Sequence, residues 1–402
     1  MKILWFCNTP SLAEAVLNNK PTSGGWIKTL DKYLQNKVSL HVAFHHHDEL
    51  EPFFHGKTWY YPVFTPYSLV QKLQNRFWRI RVVDEQYKNK YLQIIETVQP
   101  DLIHIHGTEN SFGCIHAQTN IPVLLSVQGI VNSLVDKIEQ APREMQKLHA
   151  YKKEKDRFVR MARLEEKYLK EVRFIHSKSD WSSRVMQVLS PEAKCWRVDN
   201  VMRDSFYSLE WNPKMLEQKQ LVISTTLSDG VLKGLDVIGR TAAILALTDL
   251  DFEWNIVGIG PDSEIFRFTQ QQFGKCWPEN RIFPRGRMKE EQLAELLLRS
   301  SLYVTCSRME NSPNNLNEAL ILGLPTIASF VGGTSTFIKD GFTGLLVQEG
   351  DSYGFAGAIR YLHSHKDEAL TLGNNARIEA LKRHNKDKVC NDMLKVYQDI
   401  LN

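Results

Sequence analysis

Cys306-Ser-Arg-Met-Glu310-Asn-Ser-Pro-Asn-Asn-Leu-Asn-Glu318-Ala-Leu-Ile-Leu-Gly-Leu-Pro325 reads as the end of a buried strand, a polar loop and then a helix. Ser312-Pro313 predicts the helix start, a good N-cap residue followed by proline at the first helical position. Glu318 then falls about one and a half turns inside the helix, where its carboxylate can accept two hydrogen bonds from a vicinal diol such as a ribose. Backbone N–H groups around Asn314 and Asn315 suit a diphosphate. The helix ends at Gly323, and Thr326–Ser329 reads as the next strand.

The same strand and helix alternation extends in both directions. Upstream, Leu221–Ser224 is a strand, a helix runs from Lys233, Glu253–Val257 is a strand closed by the turn Gly258-Ile-Gly-Pro261, and Ile282–Gly286, a helix over 290–299 and a strand over 302–306 follow. In the first half, Lys2–Cys7, Val38–Phe44, Asp101–His106, Pro122–Val127 and Arg173–Ser177 read as strands, and Ser23-Gly24-Gly25 precedes a helix from Trp26. Strands alternating with helices predict parallel sheets covered on both faces. The weakly periodic stretch from Val198 to Pro213 marks a junction. At 402 residues the chain exceeds what one core usually supports. The expected division is 1–200, 201–384 and a final helix, 385–402, packing back on the first domain.

Composition is that of an ordinary globular protein, 43% hydrophobic and 24% charged. The N-terminal apolar run is too short for a secretory signal, and no run of eighteen apolar residues suggests a membrane span; the expectation is a cytoplasmic protein. Cys7, Cys114, Cys195, Cys276, Cys306 and Cys390 are scattered without a C-x-x-C pair, which predicts free thiols. Net charge is only +4, but base gathers in Gln71–Arg81 and from Arg143 to Lys170. Such stretches suit peripheral contact with the inner face of an anionic membrane as well as a solvated helix face. Nucleic acid is not an expected partner.

The Glu310 to Pro325 stretch resembles the retaining glycosyltransferases of family four (glycosyl transferases group 1), which have the GT-B fold. The matching residues are Glu310, seven intervening positions, Glu318, Ala319, Gly323, Pro325 and the strand after it. Val331-Gly-Gly333 and Lys339-Asp-Gly-Phe-Thr-Gly-Leu-Leu-Val347 continue the likeness. The resemblance implies two doubly wound Rossmann-like domains facing across a cleft, with 1–200 on the acceptor side and 201–384 binding the nucleotide sugar. It assigns Glu318 to the donor ribose, Glu310 to the donor sugar and backbone N–H groups near Asn314 and Asn315 to the diphosphate. Lys233-Gly234 resembles the family's lysine at the leaving diphosphate, and Ser23-Gly24-Gly25 its phosphate-approaching glycine pair, with Gly24 and Gly25 on the donor. His106 resembles the histidine that faces the transferred sugar.

The sequence departs from the family at two points. Pro313 stands where a second glycine is common, which removes a backbone donor. Thr225-Thr226-Leu227 stands where an arginine is usual, with Arg285 and Arg287 as candidate substitutes. Asp249-Leu-Asp251 precedes a strand and does not suit a metal, and His45-His46-His47-Asp48 reads as a surface loop. Gly258-Ile-Gly260 lacks the third glycine of a dinucleotide fingerprint.

Together these residues predict a hexosyltransferase-like retaining enzyme with catalytic residues Glu310, Lys233 and His106. It would take a nucleoside diphosphate sugar donor, with no metal or other cofactor, and transfer to a glycan or lipid-linked acceptor in cell-surface polysaccharide synthesis. A non-catalytic nucleotide-sugar-binding subunit of a polysaccharide assembly complex is the alternative. An NAD-dependent oxidoreductase would need a glycine fingerprint that the sequence lacks.

Overall fold

In β1 (Lys2–Cys7), Ile3, Trp5 and Cys7 join the core on one sheet face and Leu4 and Phe6 the core on the other; all five are fully buried. A strand apolar on both faces belongs at the centre of a parallel sheet, and β1 lies there. The computed structural model describes residues 1–17, 25–65 and 83–402. Ser23, Gly24 and the basic stretch Gln71–Arg81 lie outside the described residues.

The chain divides into two units. The first comprises Met1–Val135, Arg157–Val201 and Asn385–Asn402, and the second Asp136–Asp156 and Met202–His384. Residues 136–156 therefore group with the second unit although they lie within 1–200. Local bonds explain the grouping: the Glu264 carboxylate accepts from the His149 and Ala150 N–H groups (2.9 and 2.8 Å), and Glu154 accepts from Val231 N–H (2.8 Å).

The first unit holds an eight-stranded sheet. After β1 come β2 (Ser39–His46), β3 (Phe53–His55), β4 (Thr58–Phe64), β5 (Leu102–His106), β6 (Val123–Ser126), β7 (Phe174–Ser177) and β8 (Lys194–Arg197), in the spatial order β3-β4-β2-β1-β5-β6-β7-β8. Only the β3–β4 pair is antiparallel. Sequence patterning anticipates β1, β2, β5, β6 and β7 but not β3, β4 or β8. His45 and His46 correct the expected surface loop, because they are the last residues of β2. His45 Nε2 meets Tyr91 Oη at 2.6 Å, and burial lowers its pKa to about 4. Only His47 and Asp48 of that run are exposed.

The helix Lys386–Leu401 packs Met393, Val396 and Tyr397 onto the Trp5 face of this sheet. Below it runs a buried chain of hydrogen bonds. Trp5 Nε1 can only donate and the Val198 carbonyl can only accept, and these two ends set the direction for neutral imidazoles. Trp5 donates to Tyr397 Oη (3.1 Å), Tyr397 to His104 Nδ1 (2.8 Å), His104 Nε2 to Ser126 Oγ (2.6 Å), Ser126 to His176 Nδ1 (2.5 Å) and His176 Nε2 to Val198 O (2.8 Å).

The second unit holds six parallel strands, β9 (Leu221–Thr226), β10 (Phe252–Val257), β11 (Ile282–Gly286), β12 (Leu302–Thr305), β13 (Thr326–Phe330) and β14 (Leu345–Gln348), in the order β11-β10-β9-β12-β13-β14. In each sheet the order of strands reverses near the middle, at β1/β5 and at β9/β12. Ligands of open α/β sheets bind outside the strand ends at such a point. All six cysteines are free thiols. Among the described residues no helix is long and apolar enough to cross a membrane.

Candidate functional site

The loops leaving β9 and β12, at the reversal point of the second sheet, carry Lys233 and Glu310. Their side chains meet, with Lys233 Nζ 2.6 Å from Glu310 Oε1. Backbone packing sets this contact. Gly234 has φ +71°, and a Cβ there would stand 1.9 Å from the Cys306 carbonyl oxygen; only glycine lets the Lys233 turn press against the end of β12. Arg308 N–H donates to the Leu232 carbonyl (2.8 Å), and the Arg308 guanidinium forks onto Asp236 (3.0 and 2.8 Å), joining the two loops again. Behind Glu310, Gly332 has φ +45° and a Cβ there would lie 2.1 Å from the Glu310 carbonyl oxygen, which also accepts from Gly333 N–H at 2.9 Å.

The helix that follows runs Asn314–Leu322, one residue later than the Ser312 cap predicts. Pro313 occupies the N-cap position, no side chain caps the helix, and Ser312 Oγ is buried with no hydrogen-bond partner among the described residues. Proline accepts no side-chain role at a cap and supplies no N–H, so the first donors belong to Asn314 and the residues after it. The Asn315 side chain is turned away from that end, donating its amide to the Thr226 carbonyl. Both amide atoms of Asn317, fully buried beside Glu318, also lack a partner among the described residues.

Glu318 is buried and held by Arg203, whose Nε and Nη2 lie 2.6 Å from its two carboxylate oxygens. Burial raises the Glu318 carboxyl above its ordinary value, against the pull of Arg203. A carboxylate has about four lone-pair sites, so this fork leaves capacity on both oxygens for a diol. Sequence reasoning missed Arg203, which lies 115 positions from its partner in the stretch read as a junction. Arg285, a candidate for the missing cation, instead donates to Asn255 Oδ1 at 2.6 Å and lies 4.0 Å from Glu253. Asp249 and Asp251 pair with Arg360 and Arg281 (3.1 and 3.6 Å). The only His/Cys/Asp/Glu group among the described residues with metal-compatible spacing is His46, His47 and Asp48.

In the first unit, His106 ends β5 at the reversal point of that sheet. It is fully buried and neither ring nitrogen has a partner among the described residues. Its ring stands 4.7 Å from that of Trp5 and 5.7 Å from that of Trp26, and burial holds its pKa well below the ordinary value. Gly25 is the first residue of the helix Gly25–Leu34, and Trp26 the second.

Residues 213–379 match the family described as glycosyl transferases group 1. The N-acetyl-alpha-D-glucosaminyl L-malate synthase of Bacillus anthracis is 31% identical over 188 residues, 46% of this chain and 47% of that protein. The chain thus spans about half the length of the curated relatives it matches. Among solved structures, sucrose-phosphate synthase from Thermosynechococcus elongatus superposes with a TM-score of 0.77 at 15% identity, covering 99% of this chain and 98% of that one. Anabaena HepE in complex with UDP and glucose gives 0.68 at 14% identity, covering 99% and 100%. The chain therefore has the GT-B fold, and its residues 213–379 are similar to the glycosyl transferases group 1 family.

Proposed function

We propose that this protein is a retaining glycosyltransferase that moves a hexose-like unit from a nucleoside diphosphate sugar to a hydroxyl of a glycan or lipid-linked acceptor, in cell-surface polysaccharide synthesis. The observation that carries the reading is the Lys233–Glu310 contact at the strand reversal of the second sheet, next to the uncapped start of the Glu318 helix.

Negative charge builds on the β-phosphate as the glycosidic bond to it breaks, and a fixed cation there lowers the barrier. Lys233 is that cation. Glu310 aims it before the donor arrives and lies where a sugar hydroxyl can take over one of its carboxylate oxygens. The first N–H groups of the Asn314–Leu322 helix receive the diphosphate, and Glu318 receives the ribose diol while Arg203 holds it in place. His106, with both ring nitrogens open, is assigned to the transferred sugar, and Gly24 and Gly25 to the donor phosphates. Catalysis rests on positioning and electrostatics rather than on a protein nucleophile, and the reading gives a metal no role. The exposed basic face of the helix His149–Leu169, which includes Lys152, Lys153, Arg160 and Arg163, is assigned to contact with an anionic membrane.

A thermal-shift panel of UDP-, GDP- and ADP-sugars tests the donor site, because a ligand that binds only the folded form raises Tm. HepE was solved with UDP, so UDP-sugars head the panel. With the donor in hand, Glu310→Ala is expected to abolish sugar transfer while donor-induced stabilisation persists, and excess EDTA is expected to leave turnover unchanged. Proton NMR of the product's anomeric signal reads retention directly. Donor stabilisation without turnover in the wild type would instead support the non-catalytic subunit.

A further inference from the structure

Lys178 follows β7 immediately and is buried, with 2% of its surface exposed. Its Nζ sits 3.5 Å from the centre of the Trp26 ring, and the His106 ring lies 5.7 Å from the same indole. No ion pair neutralises Lys178 among the described residues. The Glu109 carboxylate, whose charge acts on it, accepts from Asn8 Nδ2 at 2.6 Å. Burial without a counter-ion pulls the ammonium's pKa down to about 7, with the Glu109 charge pulling the other way. An ammonium taken out of water needs a partner charge, and an indole face supplies only a fraction of one. A fully buried imidazole with two unused nitrogens is equally unusual, because buried polar groups are almost always paired. Both groups meet on one indole at the strand ends where a sheet of this type binds ligands.

We propose that Lys178, seated on Trp26 beside His106, binds an anionic oxygen of the acceptor, carried by a carboxylate or a phosphate group. The proposal rests on reading the first unit as the acceptor side. Lys178 offers three N–H donors with no acceptor of its own, and His106 offers one donor and one acceptor. That set matches an anionic group with an adjacent hydroxyl, the oxygen that would receive the sugar. The positive charge also excludes cationic acceptors, since an unpaired like charge in this site is costly.

The test is a thermal-shift titration of the full chain with inorganic phosphate and, separately, with malonate, in the presence of saturating UDP. In the wild type at least one of the two anions is expected to raise Tm saturably, and which one does so identifies the anionic group. In Lys178→Met and Lys178→Gln the same anion is expected to bind about tenfold more weakly or not at all, the loss typical of a charged hydrogen bond. Two neutral replacements keep the comparison available if one of them fails to fold. A rise retained in full by both variants, or no rise with either anion in the wild type, overturns the proposal. The UDP-induced shift, measured first and without added anion, reports on the donor reading by itself; its absence would sink that reading without touching the Lys178 result.

Discussion

Arg203 grips both oxygens of a carboxylate that is otherwise buried, so removing it leaves Glu318 charged and unpaired in a dry site. Arg203→Ala is expected to destabilise the protein by about 3–5 kcal/mol, read as a lower urea midpoint at unchanged slope, and donor saturation should recover part of the loss. Lys178 makes a prediction with the opposite sign. Its folded pKa, about 7, lies below the unfolded value of about 10.4. Between the two the unfolded chain holds a proton that the folded one does not, so stability rises with pH. Below pH 7 the cost of the buried charge is at its fullest. The Tm of Lys178→Met should therefore exceed that of the wild type most at pH 6, and the gap should close toward pH 10. Neither residue was legible in sequence. Glu310 and Glu318 stood out because their neighbours form a continuous motif, and Lys233 because with Gly234 it follows the first strand of the second half, whereas Arg203 and Lys178 gain meaning only from partners brought close by the fold.

At the scale of the element, two glycines place the site. Gly234→Ala and Gly332→Ala would drive a Cβ into the carbonyl oxygens of Cys306 and Glu310. Each should move Lys233 or Glu310 off its position and lower kcat/KM by at least about 100-fold, as small misplacements near a reacting centre do, with circular dichroism showing the sheets intact. The strands were legible where both sheet faces are apolar, as in β1, since a short continuous apolar run is the mark of a strand buried on both sides. β4 escaped notice because Pro62 interrupts it; proline supplies no N–H, yet the strand keeps its register, with Pro62 opposite Phe44. Ser312 misled as a helix cap: the composition rule was satisfied, but the chain turns into the helix one residue later and leaves the hydroxyl unused.

At the scale of the molecule, buried imidazoles decide the response to acid. His41, His45, His104, His106, His116 and His176 all have pKa values lowered by burial, that of His176 to about 3. As pH falls from about 6.5 toward 4, the unfolded chain gains protons there that the folded chain excludes, and stability drops. Burial raises the pKa values of Asp31, Glu109 and Glu318, which works the other way, but these groups are outnumbered. The urea midpoint should be clearly lower at pH 4.5 than at pH 7, and the drop should shrink in a His176→Asn variant relative to its own pH 7 value. The weakly periodic stretch from Val198 contains the change of unit between Val201 and Met202; the membership of 136–156 leaves no such mark in sequence, because it depends on carboxylates such as Glu264 and Glu154 that cap distant N–H groups.

The first unit is assembled from three stretches of chain, and the hydroxyl of Tyr397 completes a hydrogen-bond line that begins at Trp5. During synthesis the amino-terminal strands leave the ribosome first, yet Trp5 Nε1 and His104 Nδ1 wait without partners until residue 397 has emerged. The second unit closes at His384 and has all of its segments available earlier. Although its strands are made last, the glutamate-bearing body is the one able to reach its native form first, and the half that is translated first is the half that finishes folding last.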